Sequence, residues 1–235
     1  MTEFAKYESL IPVTPPRQLA DLNPALRLYS DDKLDVWYSP MGQRIENPAI
    51  WILGITPGWN QMRIAYEEAS AALQSGSSLR QAVDCAKPRI AFAGSMRANL
   101  VSMLDDIGLN QALDVTTTAN LFGSKKLRTG SVLRYPVFNK GRNYSGSSPT
   151  PVKHAFLKEM LDVILAEELE TVRDCPIVPL GKAAELALEY SVEQGRVDPS
   201  RILRGFPHPS GANGHRISQF NENKDSYANA VKKWF

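Results

Sequence analysis

AIWILGITPGWN, residues 49–60, is where the fold of this chain is first legible. Ala49 to Gly54 is a short run, apolar at every position and stopped by glycine. Such runs suit a strand covered on both faces, as in a parallel sheet. The turn Gly54-Ile55-Thr56-Pro57-Gly58 follows. Its glycines let the backbone approach a ligand, and it feeds a helix whose first N–H groups suit an anion. Working outward, helices are expected over 60–73 and 77–85, separated by Gln74-Ser75-Gly76. Another is expected over 96–107, with Ser95 as N-cap and Gly108 as stop, and more over 152–169, 182–193 and 222–235. Further strands are expected at 115–121, 175–180 and 202–206. Residues 122–150 read as one irregular stretch, far longer than an ordinary connection, which favours a functional loop. Strands alternating with helices imply an α/β protein: a three-layer α/β/α arrangement around a central four-stranded, mostly parallel sheet. The first 45 residues hold Pro12, Pro15, Pro16, Pro24 and Pro40 and read as a segment wrapping the core, so 1–235 is expected to form a single domain.

Composition bounds the function classes. The 235 residues are 43% hydrophobic and 22% charged, an ordinary globular balance, and a chain of this length needs no disulfide or metal staple. There is no run of about 18 apolar residues and no basic segment followed by an apolar one. Neither a membrane span nor secretion is expected; the expected location is the cytoplasm, within reach of a nucleoid, or a nucleus. Two cysteines, Cys85 and Cys175, cannot supply a four-thiolate iron–sulfur or zinc site. No metal or cofactor is expected.

The formal charge of +2, from 27 basic and 25 acidic side chains, hides a segregation along the chain. Between Asp114 and Glu159 there is no acid, while Lys125, Lys126, Arg128, Arg134, Lys140, Arg142, Lys153 and Lys158 fall there. A second acid-free stretch, from Asp198 to Glu222, holds Arg201, Arg204 and Arg216 with His208 and His215. Such segregation suits one basic face for phosphates, and Tyr135, Phe138 and Tyr144 between the cations suit base stacking. The alternative is a solvated loop with an accidental bias.

The second chemically unusual segment is FPHPSGANG, residues 206–214. Two prolines flank His208, remove two backbone donors and stiffen the loop that aims the imidazole. A strand ending in G-[I/M]-x-P-G together with a later H-P-S resembles the uracil-DNA glycosylase superfamily, nearest its mismatch-specific and single-strand-selective branches. Ala91-Phe92-Ala93-Gly94 is similar to the segment carrying that family's stacking Phe, and Thr118-Ala119-Asn120-Leu121 to the strand end bearing its pyrimidine-reading Asn. Residues 177–183 resemble its penultimate strand–helix junction, and the likeness runs in order over roughly 48–235.

The resemblance implies a monofunctional DNA glycosylase that flips uracil, or a related damaged or deaminated base, out of single- or double-stranded DNA and hydrolyses its N-glycosidic bond with water. His208 would donate to the departing pyrimidine O2, Asn120 would read the base edge, Phe92 would stack on it, and backbone N–H groups at Ile55 and Gly58 would complete the pocket. Ser210, Gly211, Asn213, Arg216, Lys125, Lys126 and Arg142 would grip the strand. A monomer is expected. Thr56 departs from the family's Asp or Asn at the water-activating position: its hydroxyl can orient a water but cannot take its proton. Asn60, Glu67 and Glu68 are the candidates to substitute. Gly211-Ala212-Asn213-Gly214 is a weak wedge, which points either to single strands as the target or to Arg216 filling the gap. Against these roles, Phe92 can be plain core, Asn120 a cap, His208 a loop brace and Trp59 either packing or pocket wall. The rival functions are a weakly active or inactive nucleic-acid binder of the same fold, and a hydrolase or transferase using the Gly58 turn on free nucleotides.

Overall fold

The computed structural model describes residues 6–41, 45–78 and 88–235. Three single-turn 3-10 helices, Glu8–Leu10, Leu19–Asp21 and Pro24–Leu26, lead into β1 (Arg27–Ser30), β2 (Leu34–Trp37) and β3 (Ile50–Gly54). Then come α1 (Trp59–Gln74), α2 (Ser95–Asp106), a helical turn Leu109–Ala112 and a 3-10 turn Thr118–Leu121. Strands β4 (Leu127–Ser131), β5 (Val137–Asn139) and β6 (Arg142–Asn143) follow. Helix α3 (Ala155–Met160) runs on through a π-helical turn, Leu161–Leu165, into Ala166–Glu170. Strand β7 (Ile177–Pro179), α4 (Lys182–Glu193) and α5 (Arg216–Trp234) complete the chain. Most of the helix expected over 77–85 lies outside the described residues.

These elements form two compact units. The first takes Met1–Arg44, Thr56–Ala91 and Leu133–Ser145; the second takes Ile45–Ile55, Phe92–Val132 and Gly146–Phe235. The first unit holds an antiparallel sheet in the order β1-β2-β5-β6. Asn23 caps the Pro24–Leu26 turn by accepting from Ala25 N–H at 2.9 Å. Asp31 Oδ1 then accepts from the N–H groups of Lys33 and Leu34, an Asx turn that sets the β1–β2 hairpin. The core of this unit gathers Leu26, Tyr38, Met62, Tyr66 and Phe138. Short turns and helices wrapping the core are expected here, and three 3-10 turns are present; the hairpin besides them pairs with β5, a partner about a hundred residues away in the chain, and short strands of that kind carry little local signal.

The second unit holds the parallel sheet, in the order β4-β3-β7. Residues Ile50 to Leu53 are all but inaccessible, as a strand covered on both faces requires. Two expectations are corrected. The fourth strand at 202–206 shrinks to a one-residue bridge, Ile177 to Ile202, with Leu203 N–H donating to Ile177 O at 2.9 Å before Gly205, at φ 76°, turns the chain. Among the described residues the parallel sheet therefore has three strands, not four. The strand expected at 115–121 is a 3-10 turn. Asp105 accepts from Thr117 Oγ1 at 2.6 Å and from Thr118 N–H at 2.7 Å, which ties the segment to the end of α2 and away from the ladder.

The strand beside β3 is β4, inside the stretch that reads as irregular. It reads so because it carries Arg128, Thr129, Gly130 and Ser131 instead of an apolar run. Arg128 is 2% exposed; its guanidinium donates to Glu168 at 2.7 Å and to Thr171 Oγ1 at 3.1 Å, and lies 4.2 Å over the Trp51 ring. This cation belongs to the core, not to a phosphate-facing surface. Among the described residues no helix is long and apolar enough to cross a membrane, and no group of three or more His, Cys, Asp or Glu is placed to hold a metal ion.

Removing Glu168 takes a carboxylate partner away from a buried guanidinium. Glu168→Ala should lower unfolding free energy by about 3–5 kcal/mol in urea titration, whereas a loss below about 1 kcal/mol would show that the pair does not hold β4.

Candidate functional site

The carboxyl ends of the parallel strands converge in the second unit, where ligands of open α/β sheets collect. Gly54 ends β3 and pairs in register with Ser131 at the end of β4. A Cβ on Gly54 would lie 3.6 Å from the Phe92 ring and 3.8 Å from Ser131 Oγ, so both side chains border the bare glycine. Phe92 is 5% exposed with φ 51°, a left-handed conformation costly for an aromatic residue. It sits in a turn ahead of α2. Ile55 and Ala183 close on Gly146, whose φ of 84° and a would-be Cβ only 2.5 Å from Ala183 Cβ exclude any larger residue.

On the next strand, Leu180 N–H donates to Leu53 O at 2.8 Å, and Gly181 follows at φ 84°. A Cβ there would meet His208 Cβ at 2.9 Å, so the glycine seats the histidine against the sheet edge. The His208 loop is braced from several sides. Gly181 N–H donates to Phe206 O at 2.9 Å, Asn99 of α2 to Pro209 O at 2.9 Å, and Arg216 to Ser210 O at 3.0 Å. Asn213 donates to His208 O at 3.3 Å and to Gln219 at 3.1 Å.

The imidazole itself is oriented. Ser210 N–H donates to His208 Nδ1 at 3.2 Å, so Nδ1 is the acceptor and the neutral ring carries its proton on Nε2. Burial pushes the imidazole pKa below its ordinary value. Together these make His208 a neutral, fixed Nε2–H donor, a group suited to an oxygen on which negative charge develops.

In the first unit, the Thr56–Gly58 turn is occupied by the protein's own groups. Thr56 Oγ1 donates to Tyr135 O at 2.8 Å and accepts from Val137 N–H at 3.0 Å, pinning the turn to β5. Gly58 N–H donates to Gln61 Oε1 at 2.9 Å, and Trp59 N–H to Asn143 Oδ1 at 2.8 Å. These are the donors a base or phosphate would have used at Gly58. Trp59 packs on the core of its unit. The candidate substitutes for a base are engaged too: Glu67 and Asn60 with Arg63, and Glu68 with Arg89.

Asn120 is tied by no hydrogen bond to His208 or its loop among the described residues. It is exposed on the 3-10 turn held by Asp105, while Asn99, the α2 residue touching the His208 loop, lies about 9 Å along the helix from Asp105. Lys125 and Lys126 precede β4 at its amino end, roughly 16 Å along the strand from Ser131, and Lys126 Nζ donates to Leu113 O. They sit at the sheet edge opposite His208, because the basic stretch that contains them is itself a strand. Arg142 is exposed on β6 of the first unit, where Phe138 and Tyr144 are buried and closed to stacking. Ser210, Asn213 and Arg216 brace the loop; Gly211, with open space around it, is its exposed tip.

No protein-family model matches the chain. The uncharacterized protein YoxB of Bacillus subtilis (strain 168) is 38% identical over 238 residues, spanning 100% of this chain and 93% of that one. The chain belongs to the YoxB family. A crystal structure of wild-type Pedobacter heparinus SMUG2 overlaps 80% of this YoxB-family chain and 76% of its own, with a TM-score of 0.45 and 12% identity, an overlap too slight to assign fold or activity. Several residues escape a reading of motifs alone: Ser131, Gly146 and Asn99 at the sheet edge of the second unit and, separately, Asn143 at the Gly58 turn of the first. Gly130-Ser131 ends a strand with no apolar signature, and the asparagines act on backbone groups distant in sequence, so only the positive-φ positions leave even a glycine as a trace.

The ring's tautomer and titration can be checked by nitrogen NMR of the imidazoles. His208 should be neutral with its proton on Nε2 at pH 7 and should titrate below about 6.5. Because the folded value is the lower one, stability is full above about pH 6.5 and is lost as pH falls through the folded pKa. Gly181→Ala should displace the ring and return its titration toward the ordinary value; an unchanged signal would mean that Gly181 does not seat it.

Proposed function

We propose that this chain is a monofunctional DNA glycosylase of the uracil-DNA glycosylase kind, acting on uracil or a related deaminated base flipped from DNA, without metal or cofactor. The observation that carries the reading is the Nε2–H of His208, fixed by Ser210 and held neutral at the carboxyl edge of a parallel sheet. Breaking the bond between sugar and base leaves negative charge on the base, and a fixed donor in a partly dry site stabilises it as it develops. Phe92, held rigid beside Gly54, supplies the stacking face; base–aromatic stacking is worth about 1–3 kcal/mol. Ile55 contributes to the pocket wall by packing on Gly146 and Ala183. Ser131, whose hydroxyl borders Gly54, would offer a polar group to the base edge beside or in place of Asn120. The exposed tip at Gly211 is the part of the His208 loop open to a strand, with Ser210, Asn213 and Arg216 holding its shape.

Nothing comparable supports Thr56 as activator of the water, since its hydroxyl proton is given to Tyr135 O. That favours a second reading: a member that binds a flipped base and hydrolyses slowly or not at all. An oligonucleotide carrying one uracil, incubated and then cleaved with alkali, separates the two. Excision gives a shortened strand, and His208→Ala should cost about 10²-fold or more in rate. Intact strand with salt-sensitive retention supports the binder, and undiminished excision by His208→Ala would remove the histidine from the chemistry.

A further inference from the structure

A cleft of about 510 Å³ opens in the second unit at the amino ends of β3 and β7, the edge of the sheet away from His208. Its lining includes Pro48, Ala49, Cys175, Pro176 and Trp234 of α5, whose indole is fixed by donating Nε1–H to Ser200 O at 3.1 Å. The volume falls within the range of small-molecule sites, about 300–1,000 Å³. The cations are what distinguish it. Arg173, Arg201 and Lys233 line the cleft against one acid, Asp174. Arg201 is half-buried: its Nε donates to Cys175 O at 2.9 Å and its Nη2 to Val172 O. A guanidinium offers five N–H donors, so these two bonds leave others to offer; among the described residues no carboxylate lies within ion-pair distance of it, while Asp174 and Asp198 act on it from farther away. Desolvating this half-buried cation is costly and the two acids act from outside ion-pair range, so an oxyanion such as phosphate, seated on the remaining donors, is the partner that offsets the cost. Cys175 does not serve here, because burial pushes its thiol up to about 12 and keeps it neutral.

We propose that this cleft binds a phosphate-bearing ligand of mononucleotide size, the phosphate on Arg201 with Arg173 and Lys233 and the ring against Trp234. The site is separate from the His208 loop and does not depend on the reading given to that loop. Titration calorimetry of the full chain with thymidine 5′-monophosphate tests it, with thymidine and inorganic phosphate as comparison arms. Saturable binding of the nucleotide is expected, with each fragment at least about tenfold weaker. Arg201→Gln should weaken the nucleotide about tenfold or more, as loss of a charged hydrogen bond does. Since Arg201 also holds the Val172 and Cys175 carbonyls, the exposed pair Arg173→Gln with Lys233→Gln serves as the second variant, and the same direction is expected. His208→Ala should bind as the parent does. The proposal fails if the nucleotide shows no saturable heat, if both cation variants bind it unchanged, or if His208→Ala abolishes binding, which would place the nucleotide at the other edge of the sheet. An unphosphorylated oligonucleotide that displaces the nucleotide, in a manner the cation variants abolish, would assign the site to strand phosphates instead and overturn the small-ligand proposal.

Discussion

Arg128 is the constraint around which the second unit is arranged. A guanidinium on a strand beside an all-apolar neighbour survives burial only with its charge and donors met, and here Glu168, Thr171 and the face of Trp51 meet them. Trp51 is its register partner on β3, and Glu168 and Thr171 come from the end of the α3 run. One side chain thus links the sheet to that helix. With β4 in that register, Ser131 stands beside Gly54, and the carboxyl edge acquires a polar group next to a bare backbone position.

The same economy governs the His208 loop. Pro207 and Pro209 remove donors, but they do not aim the imidazole; that is done by Asn99, Arg216, Asn213 and the missing side chain at Gly181. Ser210 N–H then selects which ring nitrogen holds the proton. Orientation by backbone amides and a glycine contact is rigid and uncharged, so the loop presents a donor without importing a carboxylate that would raise the imidazole pKa.

Charge read along the chain and charge read on the surface diverge for a physical reason. The acid-free stretch after Asp114 suggested one basic face, yet Arg128 is buried with Glu168, Lys126 caps a helix end, and Lys158 pairs with Asp162. Cations without nearby acids in sequence find acids or carbonyls through the fold, because a long side chain reaches partners its neighbours in sequence do not. The stretch after Asp198 behaves likewise: Arg216 serves Ser210 O, and Arg204 pairs with Glu189.

What could be read without coordinates was local and periodic. The β3 run, the helices at 60–73, 96–107 and 182–193, and the glycine- and proline-marked turns around Gly58 and His208 all follow from apolar spacing and backbone chemistry, and α4 lies at the expected bounds. What required the tertiary structure was non-local. The strand at 127–131 has no apolar pattern because its burial is licensed by Glu168, forty residues on, and the 115–121 segment is denied a strand by Asp105. Thr56 and Gly58 looked available for ligand, but Tyr135, Val137 and Asn143 complete their hydrogen bonds from β5 and the segments beside it. A side chain's type is written in the sequence; whether its hydrogen bonds remain open is settled only by which distant groups the fold brings within about 3 Å.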